Sequence, residues 1–446
     1  RRGASTTSRL PSSTPMTRNA EAVLIAAAAT LASIGVAMVQ FAGGTWLDAD
    51  VALTFIVFAF TFGVIHLAFR AWAPNANPLI LPIAGFLAAI GFIQVFRIDP
   101  SLAALQRWWL GIAGISAALV VWLLRDSGVA VLRRYRYLFL VAAVGLLLLP
   151  LLPESWPIHG AVVNGSRLWV RVTVPFTDVD LSLQPGEVAK VLLTIFLASY
   201  LADRSEAMAT VSRSIGPIRL PEPRHLGPVL VAAGAAFLVL MYQRDLGASL
   251  LLFALFIGML YAATGRGVYV VTGLVAVVVA GVVAYRQFAH VRVRISAWLD
   301  PFADFTGAGY QTAQGLFAMG SGSLTGSGLG LGRPDLIPEA ATDFVFAAVG
   351  EELGLAGSIA VITAYALFVT VGIGIALRCR DRFRKYLAGG LTILVGIQAF
   401  LIIAGVVRVL PITGLTTPLM SYGGSSLLAS ALILALLGRV SHEERV

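Results

Sequence analysis

Residues 247–264 read GASLLLFALFIGMLYAAT, a stretch without one formal charge, and runs like it recur along the chain. Each approaches the ~20 apolar residues a helix needs to cross the hydrocarbon core of a bilayer. With 58% of 446 residues hydrophobic and only 12% charged, a soluble core has no means of enclosing that surface. Spans are expected near 21–42, 51–72, 78–96, 107–124, 136–153, 187–202, 226–243, 247–264, 267–285, 343–377, 386–407 and 420–438. The fold class is therefore an all-α integral membrane protein with about 12 transmembrane helices and both termini on one side. The tenth span is long enough to tilt or to begin as a separate half-helix. Residues 1–20 are basic and rich in Ser and Thr, and read as a disordered tail. The run that follows is a first membrane helix rather than a cleaved signal peptide, because further spans succeed it.

Charge orients these spans. With the N-terminus in the cytoplasm, 21 of the 32 Lys and Arg fall in inner loops and tails, among them Arg125, Arg133, Arg134, Arg136 and the cluster from Arg378 to Lys385. That bias is the positive-inside pattern. It also accounts for a net charge of +9 without nucleic acid, since no basic module interleaved with aromatic residues is present. Membrane lipids are the partners this charge implies. The polar, Gly- and Pro-rich segments at 164–172, 183–190, 242–247, 409–426 and the long loop 286–342 then all open on the extracytoplasmic side.

Several charged residues there invite a functional reading. Lys190 follows Glu187 by three positions, so the two share a helical face. They read either as a local ion pair at the membrane boundary or as the lining of a cavity in which Lys190 binds an anion. Asp245 lies in QRDLG between two spans, beside Arg244, which either neutralises it or binds substrate with it. Asp343 follows Thr342, an expected N-cap, and is expected in the first helical turn. There it either complements the helix dipole or acts as a general base. Glu351 and Glu352, deeper on the same helix, are expected to tie it to its neighbours. The six glycines of GSGSLTGSGLGLGRP (320–334) read as a mobile loop or as backbone donors closing over a substrate. SYGGSS (421–426) reads as a close-packed helix start whose Ser421 and Tyr422 are also placed to bond a sugar. Cys379 is the only cysteine, and no HExxH, Walker or GxSxG motif occurs. Asp245 and Asp343 are, however, suited to sharing a divalent cation, Mg or Mn, with a pyrophosphate.

Six stretches, in order, resemble the SEDS family (shape, elongation, division and sporulation): NGSRLWV, QPGEVAK, QRDLGASLL, GYQTAQGLFAMGSGSLTGSGLG, IPEAATDFVFAAVGEELG and LPITGLTTPLMSYGGSS. The resemblance implies a membrane core over 78–440, preceded by two extra helices in 21–77 and followed by a cytoplasmic tail, 441–446. It implies a peptidoglycan glycosyltransferase that polymerises lipid II on the outer face of the bacterial cytoplasmic membrane. The RodA-like elongation branch is favoured over the FtsW-like division branch. It further implies Asp343 as base and Asp245 as its catalytic support. The other substrate contacts would be Arg167, Trp169, Glu187, Lys190, Arg244, Glu339, Thr342 and Ser421. Its expected partners are lipid II, the nascent glycan strand and a class B penicillin-binding protein. Three positions depart from the family pattern: Ala341 replaces a common His, Leu168 separates Arg167 from Trp169, and Gly186 stands within QPGE. Two rival readings are a flippase for lipid-linked precursors and a non-catalytic scaffold for a transpeptidase.

Overall fold

The structure is a computed structural model. It describes residues 17–445 except 154, 157, 164–165, 174–179, 211, 216–217, 222–226, 228–233, 235 and 237. Ten helices among the described residues are long and apolar enough to cross a membrane. They are Arg18–Ala42, Ala49–Trp72, Ile80–Ile98, Pro100–Leu123, Pro185–Ser205, Leu246–Thr264, Val268–Gln287, Gly354–Arg378, Arg382–Val406 and Gly424–Glu444. The expected fifth span is a shorter apolar helix, Arg136–Leu151. The expected seventh, 226–243, lies largely outside the described residues, as does most of the N-terminal tail. The last helix continues through Glu444, into the segment expected as a tail.

In hydrocarbon every backbone polar group needs a partner, so helix ends must be closed. Asp48, Asp99, Asp245 and Asp381 cap their helices by accepting from backbone N–H groups two or three residues on. The helices starting at Ile80, Pro185 and Gly424 are buried over 83% of their most apolar windows and form the centre of the bundle. Small residues let them approach: a Cβ on Gly91 would stand 2.2 Å from the carbonyl oxygen of Met420.

The two ends of the bundle differ. At one, Arg18 donates to the carbonyls of Ala73 and Ala76, each at 2.9 Å. There too the Asn77 N–H meets Ser441 at 3.0 Å, and Arg384 reaches the Glu443 carbonyl at 2.9 Å. Residue 18 and residue 441 therefore lie at the same end. At the other end of the helix Ile80–Ile98, Arg97 pairs with Glu352 at 3.0 Å and donates to the Gly332 carbonyl at 2.8 Å.

Two features at this second end differ from expectation. Residues 286–342 are not an open loop, because they hold the helices Ala289–Leu299 and Tyr310–Gly322 and a short 3-10 turn, Pro334–Leu336. Residues 158–183, around the polar segment expected at 164–172, contain an antiparallel sheet, β1 (Ile158–Val163), β2 (Ser166–Thr173) and β3 (Asp180–Leu183), in the order β1-β2-β3.

The tenth expected span is broken into Val345–Glu352 and Gly354–Arg378. Gly354 has φ +64° and lies against Gly326, itself at +85°. The glycine run wraps this break: Ser327 and Gly328 N–H groups donate to the Glu351 and Glu352 carbonyls at 2.9 and 3.1 Å. In this arrangement the run satisfies carbonyl groups that the break exposes. Gly354→Ala should cost about 1–2 kcal/mol from its backbone conformation alone. Its added Cβ would also stand 2.3 Å from the Gly326 nitrogen. A lowered midpoint in thermal unfolding of the detergent-purified protein checks this; an unchanged midpoint would contradict it.

Candidate active site

Asp343 lies just before the short helix Val345–Glu352, at the end opposite the glycine-wrapped break. The turn that carries it is built by Glu339, at φ +55°, whose carbonyl accepts from the Thr342 and Phe344 N–H groups at 3.0 and 3.3 Å. Phe344 plugs the core beneath, and the helix begins only at Val345. Asp343 is thus not in a first helical turn, and Thr342 is not an N-cap; its hydroxyl donates to Glu339 at 3.0–3.1 Å. The dipole-complement reading of Asp343 loses its geometric basis. Ser421, expected to meet a sugar, is buried: its hydroxyl donates to the Thr342 carbonyl and accepts from the Thr417 N–H at 2.8 Å. With Tyr422 N–H on the Ala341 carbonyl at 2.8 Å, it fastens the turn to the segment 417–422.

Above this turn lies a cavity of about 330 Å³. It is near the lower limit of ligand pockets, about 300–1,000 Å³, so it suits a head group rather than a long polymer. Asp343 and Asp245 both line it, with Arg244, Glu339, Thr342 and Trp169 from the expected set. Four distant parts of the sequence therefore meet in one cavity. The Asp343 carboxylate has long contacts to Gln311 Nε2 (3.5 Å) and Thr342 Oγ1 (3.4 Å). Gln311 thus stands beside the acid that lacks the family's His. Burial, and next the Glu339 carboxylate, push its pKa up to about 7.

Asp245 caps the helix Leu246–Thr264 through the Ala248 N–H at 2.8 Å. Burial raises its pKa, while that N–H bond and the positive charge of Lys190 oppose the rise. Asp245 also borders a second, water-sized void of about 20 Å³, shared with Glu187, Lys190 and Gln243. Glu187 and Lys190 lie here, outside the main cavity. Lys190 donates to Glu187 at 2.8 Å and to Gln398 at 3.1 Å, and Gln398 donates to the Thr416 carbonyl at 2.8 Å. Lys190 is thereby an internal ion-pair partner beneath the cavity, not an open anion site. Arg167 on β2 is also absent from the lining, although its neighbours Ser166, Leu168 and Trp169 are present. Glu351 and Glu352 tie the end of the helix Val345–Glu352 to neighbouring segments as expected, through the Arg333 N–H at 2.8 Å and through Arg97.

Sequence reasoning missed Arg294. It lies on the helix Ala289–Leu299 and lines the cavity. The available signal was its sign, for it is one of 11 cations outside the inner loops and tails. Among the described residues no three His, Cys, Asp or Glu side chains converge as a metal site.

The family model of the cell cycle proteins FtsW, RodA and SpoVE matches residues 79–446. The peptidoglycan glycosyltransferase RodA of Mycobacterium tuberculosis is 40% identical over 444 residues, covering 97% of this chain and 92% of that protein. The probable peptidoglycan glycosyltransferase FtsW of Nitrosococcus halophilus is 35% identical over 388 residues, covering 83% and 94%. One similar solved structure is described as the structural coordination of polymerization and crosslinking by a peptidoglycan synthase complex. It has a TM-score of 0.63 at 25% identity, covering 83% of this chain and 98% of that one. The Thermus thermophilus rod shape determining protein RodA shares the fold at a TM-score of 0.55 and 24% identity, with coverage of 83% and 98%.

Proposed function

From the premise that this chain belongs to the FtsW, RodA and SpoVE family, we infer that it is a multi-pass membrane peptidoglycan glycosyltransferase. Its substrate is lipid II, and it works on the outer face of the cytoplasmic membrane, with both chain ends in the cytoplasm. The observation that carries the mechanism is that Asp343 and Asp245 line one cavity.

Asp343 is the general base. It takes the proton of the acceptor 4-hydroxyl as that oxygen attacks the anomeric carbon of the donor. The bond from that carbon to the pyrophosphate oxygen breaks, and the configuration inverts. A base with a pKa near the working pH is the most effective one, and burial supplies that tuning here. Asp245 supports the reaction from the same cavity lining, and Arg244 offers positive charge to the departing pyrophosphate. A divalent cation, held by Asp245 with the pyrophosphate, would supply further charge neutralisation and leave the Asp343 carboxylate free to take the proton. The polymer is used in elongation and shape, and a class B penicillin-binding protein is the crosslinking partner. The strong likeness to RodA of Mycobacterium over 97% of the chain supports the elongation branch.

The pKa gives a test. Below about 7 the Asp343 carboxyl is protonated and cannot accept the acceptor's proton. Turnover of lipid II per unit donor concentration is expected to rise with pH through that value and then level. Glu339 is the largest charged contributor to the upward shift, so Glu339→Gln should move the inflection to lower pH. A pH profile with no inflection within roughly two units of 7 would count against Asp343 as the base.

A further inference from the structure

We propose that Arg294 is a diphosphate-binding residue of the cavity, its guanidinium exchanging two backbone carbonyls for the pyrophosphate of the lipid-linked donor. The proposal rests on the glycosyl-transfer reading above and adds a residue to it.

Three observations carry it. Arg294 lines the cavity together with both aspartates and Arg244. Its polar contacts there are weak: Nη1 lies 3.4 Å from the Ile412 carbonyl and 3.4 Å from the Thr413 carbonyl, at the outer limit of a hydrogen bond. No described carboxylate lies within ion-pair distance of it, whereas Arg97 and Arg107 each hold one at 3.0 and 2.6 Å. A half-buried guanidinium facing a cavity, held only by long bonds to carbonyls, retains most of its capacity for an anion. Its planar fork of donors matches two phosphate oxygens at once, which an ammonium does not.

The helix beneath it does not depend on those long contacts. Arg408, at φ +61°, donates to the Trp298 and Leu299 carbonyls, each at 2.9 Å, and its own carbonyl accepts from the Trp298 indole at 3.1 Å. This reciprocal latch holds the helix Ala289–Leu299 to the segment after Val406. Arg294 is therefore free to turn without releasing its own support. A cavity that already holds Asp245, Asp343 and Glu339 also needs more than Arg244 to accept a diphosphate.

The test uses the full chain in lipid nanodiscs, titrated with inorganic pyrophosphate and followed by phosphorus NMR line broadening. Arg294→Gln should weaken pyrophosphate binding at least about tenfold, the loss expected for one charge-assisted bidentate contact. Arg294→Lys should fall between it and the wild type. Arg408→Gln, which loosens the same helix, should lower the thermal midpoint yet leave pyrophosphate affinity within about threefold. In polymerisation assays Arg294→Gln should raise the KM for lipid II. It should also shift the pH inflection upward, because a positive charge near Asp343 has gone. Unaltered pyrophosphate binding in Arg294→Gln, equal losses in Arg294→Gln and Arg408→Gln, or no binding by the wild type would each overturn the proposal. A wild type that binds pyrophosphate through Arg294 but makes no glycan would instead count against glycosyl transfer.

Discussion

Asp343→Asn is expected to reduce lipid II polymerisation by about 10²–10⁴-fold, the usual contribution of a positioned general base, while the protein stays folded. The substitution keeps the shape of the side chain and removes its ability to take a proton. Its neighbours tolerate the change, since the contacts to Gln311 and Thr342 are 3.5 and 3.4 Å long. Burial already disfavours the charged carboxylate, so the neutral amide should leave the thermal midpoint unchanged or slightly raised. Polymerisation by reconstituted protein, read as glycan strands on a gel, measures the first effect. Thermal unfolding in the same detergent measures the second. Wild-type activity in a folded variant would remove Asp343 from the mechanism.

The second large effect concerns stability. Lys190→Ala leaves the Glu187 carboxylate buried without its cation and strips Gln398 of a donor. Removing one partner of a buried pair typically costs about 3–5 kcal/mol, a large share of the margin by which a protein stays folded. The variant should be recovered in low yield with a markedly lower thermal midpoint. The double substitution Glu187→Gln with Lys190→Met should regain most of that loss, because neutral side chains need no ion-pair partner. If activity stays low in the stable double variant, the pair serves Asp245 across the small void they share. Wild-type stability in Lys190→Ala would show that the ion pair is not needed.

The membrane-spanning helices were legible because apolar length is a property of continuous stretches. The runs at 51–72, 247–264 and 386–407 became helices with ends shifted by a few residues. The meeting of Asp245 and Asp343 was also legible, since both fall in polar segments that the charge pattern assigns to one side. Side-chain partners were harder. Whether Lys190 binds a ligand or Glu187 depends on what stands opposite, and Gln398 is 208 residues away. Ser421 looked like a sugar contact because its motif is polar, yet its hydroxyl is consumed by the backbone of residues 342 and 417. Thr342 looked like a cap because spacing alone does not reveal the left-handed turn at Glu339. The sheet at 158–183 escaped notice because its strands are short and sit among Gly and polar residues. Arg294 escaped notice because its segment read as a loop, where no face is defined.

The central claim is that the two aspartates share a cavity that opens outward and takes the lipid-linked donor. Ala308 is exposed and lines that cavity, and Cys379 is the only native cysteine. Ala308→Cys in a Cys379→Ala background, in sealed vesicles of known orientation, can be labelled with a membrane-impermeant maleimide. The account predicts labelling from the extracytoplasmic side alone, slowed when lipid II is present. Labelling from the cytoplasmic side, or an outward rate that lipid II leaves untouched, would contradict it.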